Sequence, residues 1–348
     1  MLRTEFERVD IGLADPFTIA RGTRETVTNV AVRITDDEGT VGVGAAAPSA
    51  RYGETAATVE AVLPDLLGAV ESVGDPHARQ RIERRLREAV RGNPAARAAV
   101  SVAVHDLAAK RFGVPLYRLW GLDPDRGPPT SYTVGLDSPD RMGERAAAAV
   151  EAGFDVLKVK LGTDDDEARV AAVREAAPDA TLRVDANEAW TPKEAVRRCA
   201  LLDDYGVEFV EQPVSADDPD GLRFVTERSP LPVVADESCV AASDVPGLAD
   251  RVDGVNLKLM KCGGLRETRR AIHAARAHGL SVMLGCMIET NASIAAACHL
   301  APLLDHADLD GSLLLDADPY AGVDLAGGEV RLSALDRPGT GARRRAGE

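Results

Sequence analysis

The amino-acid sequence predicts an α/β protein: a barrel of alternating strands and helices preceded by a smaller α+β domain. Three observations carry this expectation. From Thr130 onward, short apolar runs alternate with helical stretches, and eight strands can be counted, the pattern of parallel βα units. Residues 1–123 read differently, as strands followed by a block of helices. Finally, Lys160, Asp185, Glu211, Asp236 and Lys258 each close an apolar run, at gaps of 25, 26, 25 and 22 residues. In a (β/α)8 barrel the C-terminal strand ends converge on one mouth, where active sites lie.

Taken in chain order, alternating segments around Leu2–Ile11 and Thr28–Thr35 predict two strands flanking a loop at Asp15–Thr26. Asp36-Asp37-Glu38-Gly39 is a hairpin turn signal, and Val41–Gly44 is the third strand. Helices are expected over Glu54–Leu67, Pro76–Val90 and Pro94–Phe112, the last two with proline in the first turn. A Pro/Gly-rich junction at Pro124–Pro129 begins the second domain, expected over 124–317. Its strands are Ser131–Val134, Val156–Lys160, Leu182–Asp185, Val207–Glu211, Val233–Asp236, Val255–Lys258, Ser281–Leu284 and about Ala307–Leu309. Residues 318–348 are expected to return to the first domain, with a β-like piece at Val330–Leu332 and a disordered tail at Arg343–Arg345.

Composition narrows the function. A net charge of −15 argues against nucleic acid, because phosphate binding needs a basic surface. No run approaches the roughly 18 apolar residues of a membrane helix, and the N-terminus lacks the apolar core of a secretory signal. Five cysteines without a C-x-x-C pair suit a reducing cytoplasm, and the histidines form no H-E-x-x-H. Gly42-Val43-Gly44-Ala45-Ala46-Ala47 matches a dinucleotide fingerprint, but Pro48 follows at once and no βαβ unit does. The chain uses arginine for positive charge and has only six lysines, three of them at Lys158, Lys160 and Lys258. Lysine can be tuned to give up its proton, whereas arginine cannot.

Lys158 and Lys160 are two residues apart on a strand and share a face. Adjacent ammonium groups repel, which favours loss of one proton. Asp185, Glu211 and Asp236 on consecutive strands offer oxygen ligands and no nitrogen, a set that selects a hard ion such as Mg²⁺. Any one acid could be a helix N-cap; three at matched strand ends argue for a metal. Asn187 and Glu237, beside these ligands, are expected to hydrogen-bond them.

These residues resemble those of the enolase superfamily, within its muconate-lactonising subgroup. The matching signatures are Lys158-Val159-Lys160, Asp185-Ala186-Asn187, Glu211-Gln212-Pro213, Asp236-Glu237-Ser238 and the run Asn256–Gly264 with Lys258 and Lys261. The resemblance spans nearly the whole chain. It implies a modified TIM barrel of (β/α)7β type, with the N-terminal α+β domain capping its mouth. It further implies that Lys160 and Lys258 are bases on opposite faces of a substrate α-carbon, supported by Lys158. Asp185, Glu211 and Asp236 would hold one Mg²⁺ per subunit and stabilise an enediolate. Asp308-Leu309-Asp310 resembles the D-x-D of dipeptide epimerases, which binds the substrate ammonium, and Cys286–Thr290 with Glu289 resembles them more loosely. Thr133, Arg24 and Arg51 are the remaining expected substrate contacts, with Arg24 resembling the arginine that receives a glutamate side chain in L-Ala-D/L-Glu epimerases. Arg21 lies in the same capping loop as Arg24. Alanine at Ala45–Ala46, where relatives often carry glutamate, departs from the pattern. The implied protein is a cytoplasmic homo-oligomer acting on a dipeptide. The alternatives are an N-acylamino acid racemase, an o-succinylbenzoate synthase, a muconate-type cycloisomerase, or a non-catalytic binding barrel.

Overall fold

The computed structural model describes residues 1–346. Three antiparallel strands open the chain: β1 (Arg3–Ile19), β2 (Gly22–Thr35) and β3 (Val41–Ala46), in that order. Helices α1 (Ala56–Val73), α2 (Arg79–Ala89) and α3 (Pro94–Arg111) follow. Alanine and valine make up most of α3, which is buried on every side from Ala95 to Ala109 apart from Arg97. A helix buried on nearly every side belongs in a core rather than on a surface. Here it packs between the small sheet and the barrel, against β3, β2, α1 and α11 (Leu265–Ala277). The glycines of the false nucleotide motif permit this approach. A Cβ on Gly42 would lie 2.2 Å from the Ala103 carbonyl, and one on Gly44 would lie 2.2 Å from that of Ala99.

A one-turn helix α4 (Leu116–Leu119) leads into the barrel. The barrel strands are β4 (Tyr132–Val134), β5 (Val156–Lys160), β6 (Thr181–Asp185), β7 (Val207–Glu211), β8 (Val233–Ala235), β9 (Gly254–Lys258), β10 (Ser281–Gly285) and β11 (His306–Asp308). All neighbours pair in parallel in sequence order. A bridge between Thr130 and Ala307 joins the first strand to the last. The connecting helices are α5 (Pro139–Glu151), α6 (Asp166–Ala176), α7 (Pro192–Asp204), α8 (Pro219–Thr226), α9 (Val245–Leu248), α10 (Leu259–Cys262), α11 and α12 (Asn291–Cys298). Several begin with proline in the first turn, where its missing N–H costs nothing. The fold is therefore a capped TIM barrel.

Four expectations need correction. The segment expected as a loop at Asp15–Thr26 is strand: after an irregularity between Gly12 and Phe17, β1 and β2 pair again through Phe17–Arg24, Thr18–Thr23 and Ile19–Gly22. The resulting hairpin reaches the barrel mouth, where Leu136 N–H donates to Thr18 O at 2.8 Å. Val330–Leu332 is not a strand. Arg343–Arg344 instead form β13, paired with β12 (Tyr320–Ala321). The tail through Arg345 is thus ordered, because Arg344 reaches Glu7 at 2.9 Å and Arg345 donates to the Asp318 carbonyl at 3.0 Å. Lastly, the eighth barrel strand stops at Asp308, and Asp310 starts a 3₁₀ turn.

The C-terminal segment is fastened to α3 by Asp106, which is fully buried. Its carboxylate accepts the N–H of Thr340 at 2.7 Å, the N–H of Val43 at 2.8 Å and Lys110 Nζ at 2.6 Å. Asp106→Ala strands these donors, at a cost of about 3–5 kcal/mol. We expect a thermal midpoint lowered by roughly 5 °C in a chain of this size. A change below about one degree by calorimetry would remove Asp106 from this role.

Candidate active site

The strand ends assemble a single charged centre. Carboxylate oxygens of Asp185, Glu211 and Asp236 lie within 4.8 Å of one another, and all three residues are buried. β6, β7 and β8 deliver them side by side, since neighbouring parallel strands end at the same level. Lysine ammonium groups stand against them. Lys160 donates to Asp185 at 2.6 Å and Lys258 to Asp236 at 2.7 Å. Lys158 Nζ lies 2.8 Å from Glu211, 2.8 Å from Asp308 and 3.3 Å from Asp185. β5 and β9 are four places apart in the order of eight strands, so Lys160 and Lys258 approach from opposite walls.

The electrostatics follow from burial and charge count. Burial opposes the Lys158 charge, but Asp308, Glu211 and Asp185 outweigh it and hold the group well above the ordinary lysine value. The repulsion expected from Lys160 does not dominate there. Burial also opposes the Lys258 charge, and Asp236 overcomes it. Burial would raise Asp185 and Asp236, yet their lysines hold both below the usual carboxylate range. Glu211 goes the other way, to about 7, driven by burial and then by the Asp185 carboxylate. Its Oε2 meets the Lys158 ammonium at 2.8 Å and no other donor among the described residues. Three crowded carboxylates, one of them raised by burial and by its neighbour's charge, fit a divalent hard cation.

Above this centre is a cavity of about 350 Å³, bounded by the ends of β4, β5 and β9, the loop after β10, the segment Asp308–Gly311 and the capping hairpin. It brings together Lys158, Lys160 and Lys258 with Asp308, Asp310 and Thr133. Asn187, Arg24 and Arg51 also line it. Asp308 accepts Ser131 Oγ–H at 2.6 Å in addition to Lys158. Asp310 accepts only the N–H of Thr133 at 2.6 Å and the hydroxyl of the same residue. Burial and the neighbouring Asp308 push Asp310 up to about 7.

The three capping arginines differ. Arg51 forms a two-pronged pair with Glu188, both contacts at 2.7 Å. Arg21 contacts Glu237 at 2.9 Å and the Asn187 carbonyl at 3.1 Å. Arg24 has no ion-pair partner among the described residues, yet lines the cavity. Asn187 donates its backbone N–H to Asp185 at 2.9 Å, and its side chain reaches Glu237 at 3.5 Å. Glu289 does not line the cavity. It accepts Met287 N–H at 2.8 Å and Ser293 Oγ–H at 2.6 Å, bracing the loop after β10.

Several contributors escaped the sequence reading. Lys261 is buried and donates to Asp236 Oδ1 at 2.5 Å, the Asp236 carbonyl at 2.6 Å and the Asn256 carbonyl at 2.8 Å. Asn256 donates to Glu211 at 2.7 Å. Gln212 accepts the N–H of Asp236 at 2.8 Å and of Ser238 at 3.1 Å, fixing the end of β8. The backbone turns sharply at these points, with φ of 46° at Asn187, 70° at Glu188 and 36° at Gln212. Side-chain-bearing residues adopt such angles at a cost, and such outliers cluster at functional sites. Lysine scarcity was the available signal for Lys261: four of the six lysines sit in this one centre.

Known proteins resemble this chain in sequence and fold. The model described as mandelate racemase / muconate lactonizing enzyme, N-terminal domain, matches residues 3–121, and that described as enolase C-terminal domain-like matches residues 141–346. The L-Ala-D/L-Glu epimerase of Bacteroides thetaiotaomicron is 38% identical over 98% of this chain and 87% of its own length. The hydrophobic dipeptide epimerase of Enterococcus faecalis is 41% identical, covering 90% of each chain. A crystal structure of the dipeptide epimerase from Enterococcus faecalis V583, with Mg and L-Leu-L-Tyr, superposes with a TM-score of 0.90 at 38% identity over 98% of both chains. A substrate-liganded L-Ala-D/L-Glu epimerase from Bacillus subtilis gives 0.92 at 34% identity over 99% of both. Matched by family models over both its cap and its barrel, the chain belongs to the mandelate racemase / muconate lactonizing enzyme family of the enolase superfamily.

Proposed function

We propose that this chain is a magnesium-dependent dipeptide epimerase, an isomerase that inverts the α-carbon of the substrate's C-terminal residue. The observation carrying this reading is the pair Lys160 and Lys258 on opposite walls of one cavity, beside three clustered carboxylates. A substrate α-carbon held between them can lose its proton to one ammonium-forming nitrogen and regain one from the other. Return from the opposite face inverts the centre. Asp185, Glu211 and Asp236 would hold Mg²⁺, which supplies positive charge to the substrate carboxylate as the α-proton leaves. Lys158, bonded to carboxylates on both sides, fixes the neighbouring charges rather than moving a proton. Lys261, Asn256 and Gln212 hold Asp236 and Glu211 in place.

Asp308 and Asp310 lie near the junction of the last and first barrel strands, where Lys158 bridges Asp308 to Glu211. A dipeptide suits this arrangement, its carboxylate meeting a cation held by the acids of β6 to β8 and its ammonium meeting Asp310. Asp308 is already paired with Lys158, so Asp310 is the group most in need of a cation. N-acetylating the dipeptide should lower kcat/KM by about two orders of magnitude, since a desolvated charge loses its partner. Asp310→Asn should reduce both the activity and this acetylation penalty. Protonation of Asp310 abolishes its charge, so kcat/KM should also fall as pH drops through about 7. Asp310→Asn should flatten that acidic limb. Faster turnover of N-acylated amino acids than of free dipeptides would replace the epimerase reading with a racemase.

The C-terminal side chain is assigned to the hairpin. Arg24 is the capping arginine without a carboxylate of its own, and a forked guanidinium suits a glutamate side chain. L-Ala-D/L-Glu or a related dipeptide is therefore the proposed substrate. Arg24→Ala should depress kcat/KM for acidic C-terminal residues by about tenfold or more while sparing apolar ones. An unchanged ranking across a dipeptide panel would assign the pocket to apolar side chains, which Phe17, Ile19 and Ile288 on its wall would then contact.

A further inference from the structure

With 56 acidic residues against 41 lysines and arginines, this chain has carboxylates to spare for its arginines. One cluster nevertheless goes without. A second cavity, of about 420 Å³, lies outside the barrel mouth where the start of α2 meets α11. Arg79, Arg266, Arg269, Arg270, His77 and Trp120 contribute to its walls. Arg270 pairs with Glu267 at 2.9 Å, and Glu267 is shared with Arg87. Among the described residues, Arg79, Arg266 and Arg269 form no ion pair.

Among the described residues, three nitrogens of the lining side chains are shut off from solvent without a hydrogen-bond partner: Arg79 Nη1, Arg269 Nε and His77 Nδ1. Arg79 and Arg269 are half-buried as residues, and a donor nitrogen shut off from solvent usually has a partner. Burial holds Arg79 and Arg269 below the ordinary arginine value, and Arg79 adds repulsion at Arg269. Helix ends add to the positive field. α2 begins at Arg79, with no acidic residue in its first turn and no side-chain cap. α11 begins at Leu265, with Arg266 next and no side-chain cap, and the one acid of its first turn, Glu267, is taken by Arg270 and Arg87. Helix N-termini carry partial positive charge, so arginines there are disfavoured unless an anion joins them. The Arg269 guanidinium is also stacked over Trp120 at 4.7 Å, which fixes its fork. His105, buried in the same wall, donates Nδ1–H to the Ser101 carbonyl at 2.8 Å and stays neutral.

We propose that this cavity is a binding site for a small phosphate-bearing anion, separate from the active site. Forked guanidinium groups match the oxygens of a phosphate, and three without carboxylates can neutralise a dianion. The cavity admits a small molecule, and the chain's net charge of −15 repels a long polyanion.

The test titrates the magnesium-loaded enzyme with inorganic phosphate, AMP and a hexose bisphosphate by calorimetry at about 0.15 M salt. At least one should bind saturably, one per chain, with Kd below about 1 mM. Preference for AMP would indicate base contact, preference for the bisphosphate two phosphate subsites, and equal affinities phosphate recognition alone. Arg79→Gln and Arg269→Gln should each weaken binding about tenfold or more. Arg84→Gln, an exposed position on α2, should leave affinity unchanged. Arg79→Gln, at the helix start, keeps the test readable should Arg269→Gln fail to fold. No saturable binding of any of the three by about 10 mM, or binding indifferent to Arg79→Gln, would overturn the proposal. Neither result depends on dipeptide turnover.

Discussion

Asp236→Asn should abolish turnover, lowering kcat/KM by about three orders of magnitude or more. Asparagine keeps the shape but only one acceptor, so one of Lys258 and Lys261 loses its side-chain hydrogen bond and faces an NH2 group, while Lys261 keeps the Asp236 and Asn256 carbonyls. What disappears is the negative charge that both ammonium groups face, at one of the three carboxylates proposed to hold a divalent cation. The buried lysines then face an incomplete charge balance, which is far more disruptive than loss of a surface pair. Calorimetric Mg²⁺ binding should be lost together with activity, while the circular dichroism spectrum stays that of the parent. Full activity of the variant, or parental activity in excess chelator, would refute a metal centre at these carboxylates.

The second large effect separates the two lysines. Lys160 stands on β5 and Lys258 on β9, on opposite walls of the barrel. Each should serve one epimer as base. Lys160→Ala should stop α-proton exchange of one epimer by about three orders of magnitude, and Lys258→Ala that of the other. Inversion should fail in both, because it needs both nitrogens. Exchange without inversion should survive on the face that keeps its lysine. Loss of exchange with the same epimer in both variants would mean that the lysines do not divide the faces. Asp185 will also lose its closest cation in Lys160→Ala, and Asp236 one of its two in Lys258→Ala, so folding and Mg²⁺ binding need to be measured alongside.

The strand ends were legible because a barrel imposes a regular pitch. Once Lys160, Asp185, Glu211, Asp236 and Lys258 recur at that pitch, tertiary closure brings them together without further information. The hairpin at Asp15–Thr26 was not legible. Asp15-Pro16 and Gly22 punctuate it locally, whereas its strand pairing is set by docking on Leu136 and on Leu314, whose carbonyl accepts Ala14 N–H at 3.0 Å. Arg343–Arg345 read as a charged tail because composition cannot anticipate Glu7 and Asp318 waiting on other elements. Lys261 lies on the one-turn helix α10 just beyond its strand, off the repeating position, so only the folded chain places its ammonium on Asp236. Glu289 shows the opposite error: it sits near the mouth in sequence, but Met287 and Ser293 occupy its carboxylate.

The most direct measurement follows the α-carbon itself. Wild-type protein with Mg²⁺ and L-Ala-D-Glu or L-Ala-L-Glu is incubated in heavy water, and the products are read by proton NMR and mass. Each inversion should place one deuterium on the α-carbon of the C-terminal residue, with none on the alanine, and chelator should stop both inversion and incorporation. Inversion without deuterium, label on the N-terminal residue, or no exchange with any dipeptide in a broad panel would contradict a two-lysine proton transfer at this site.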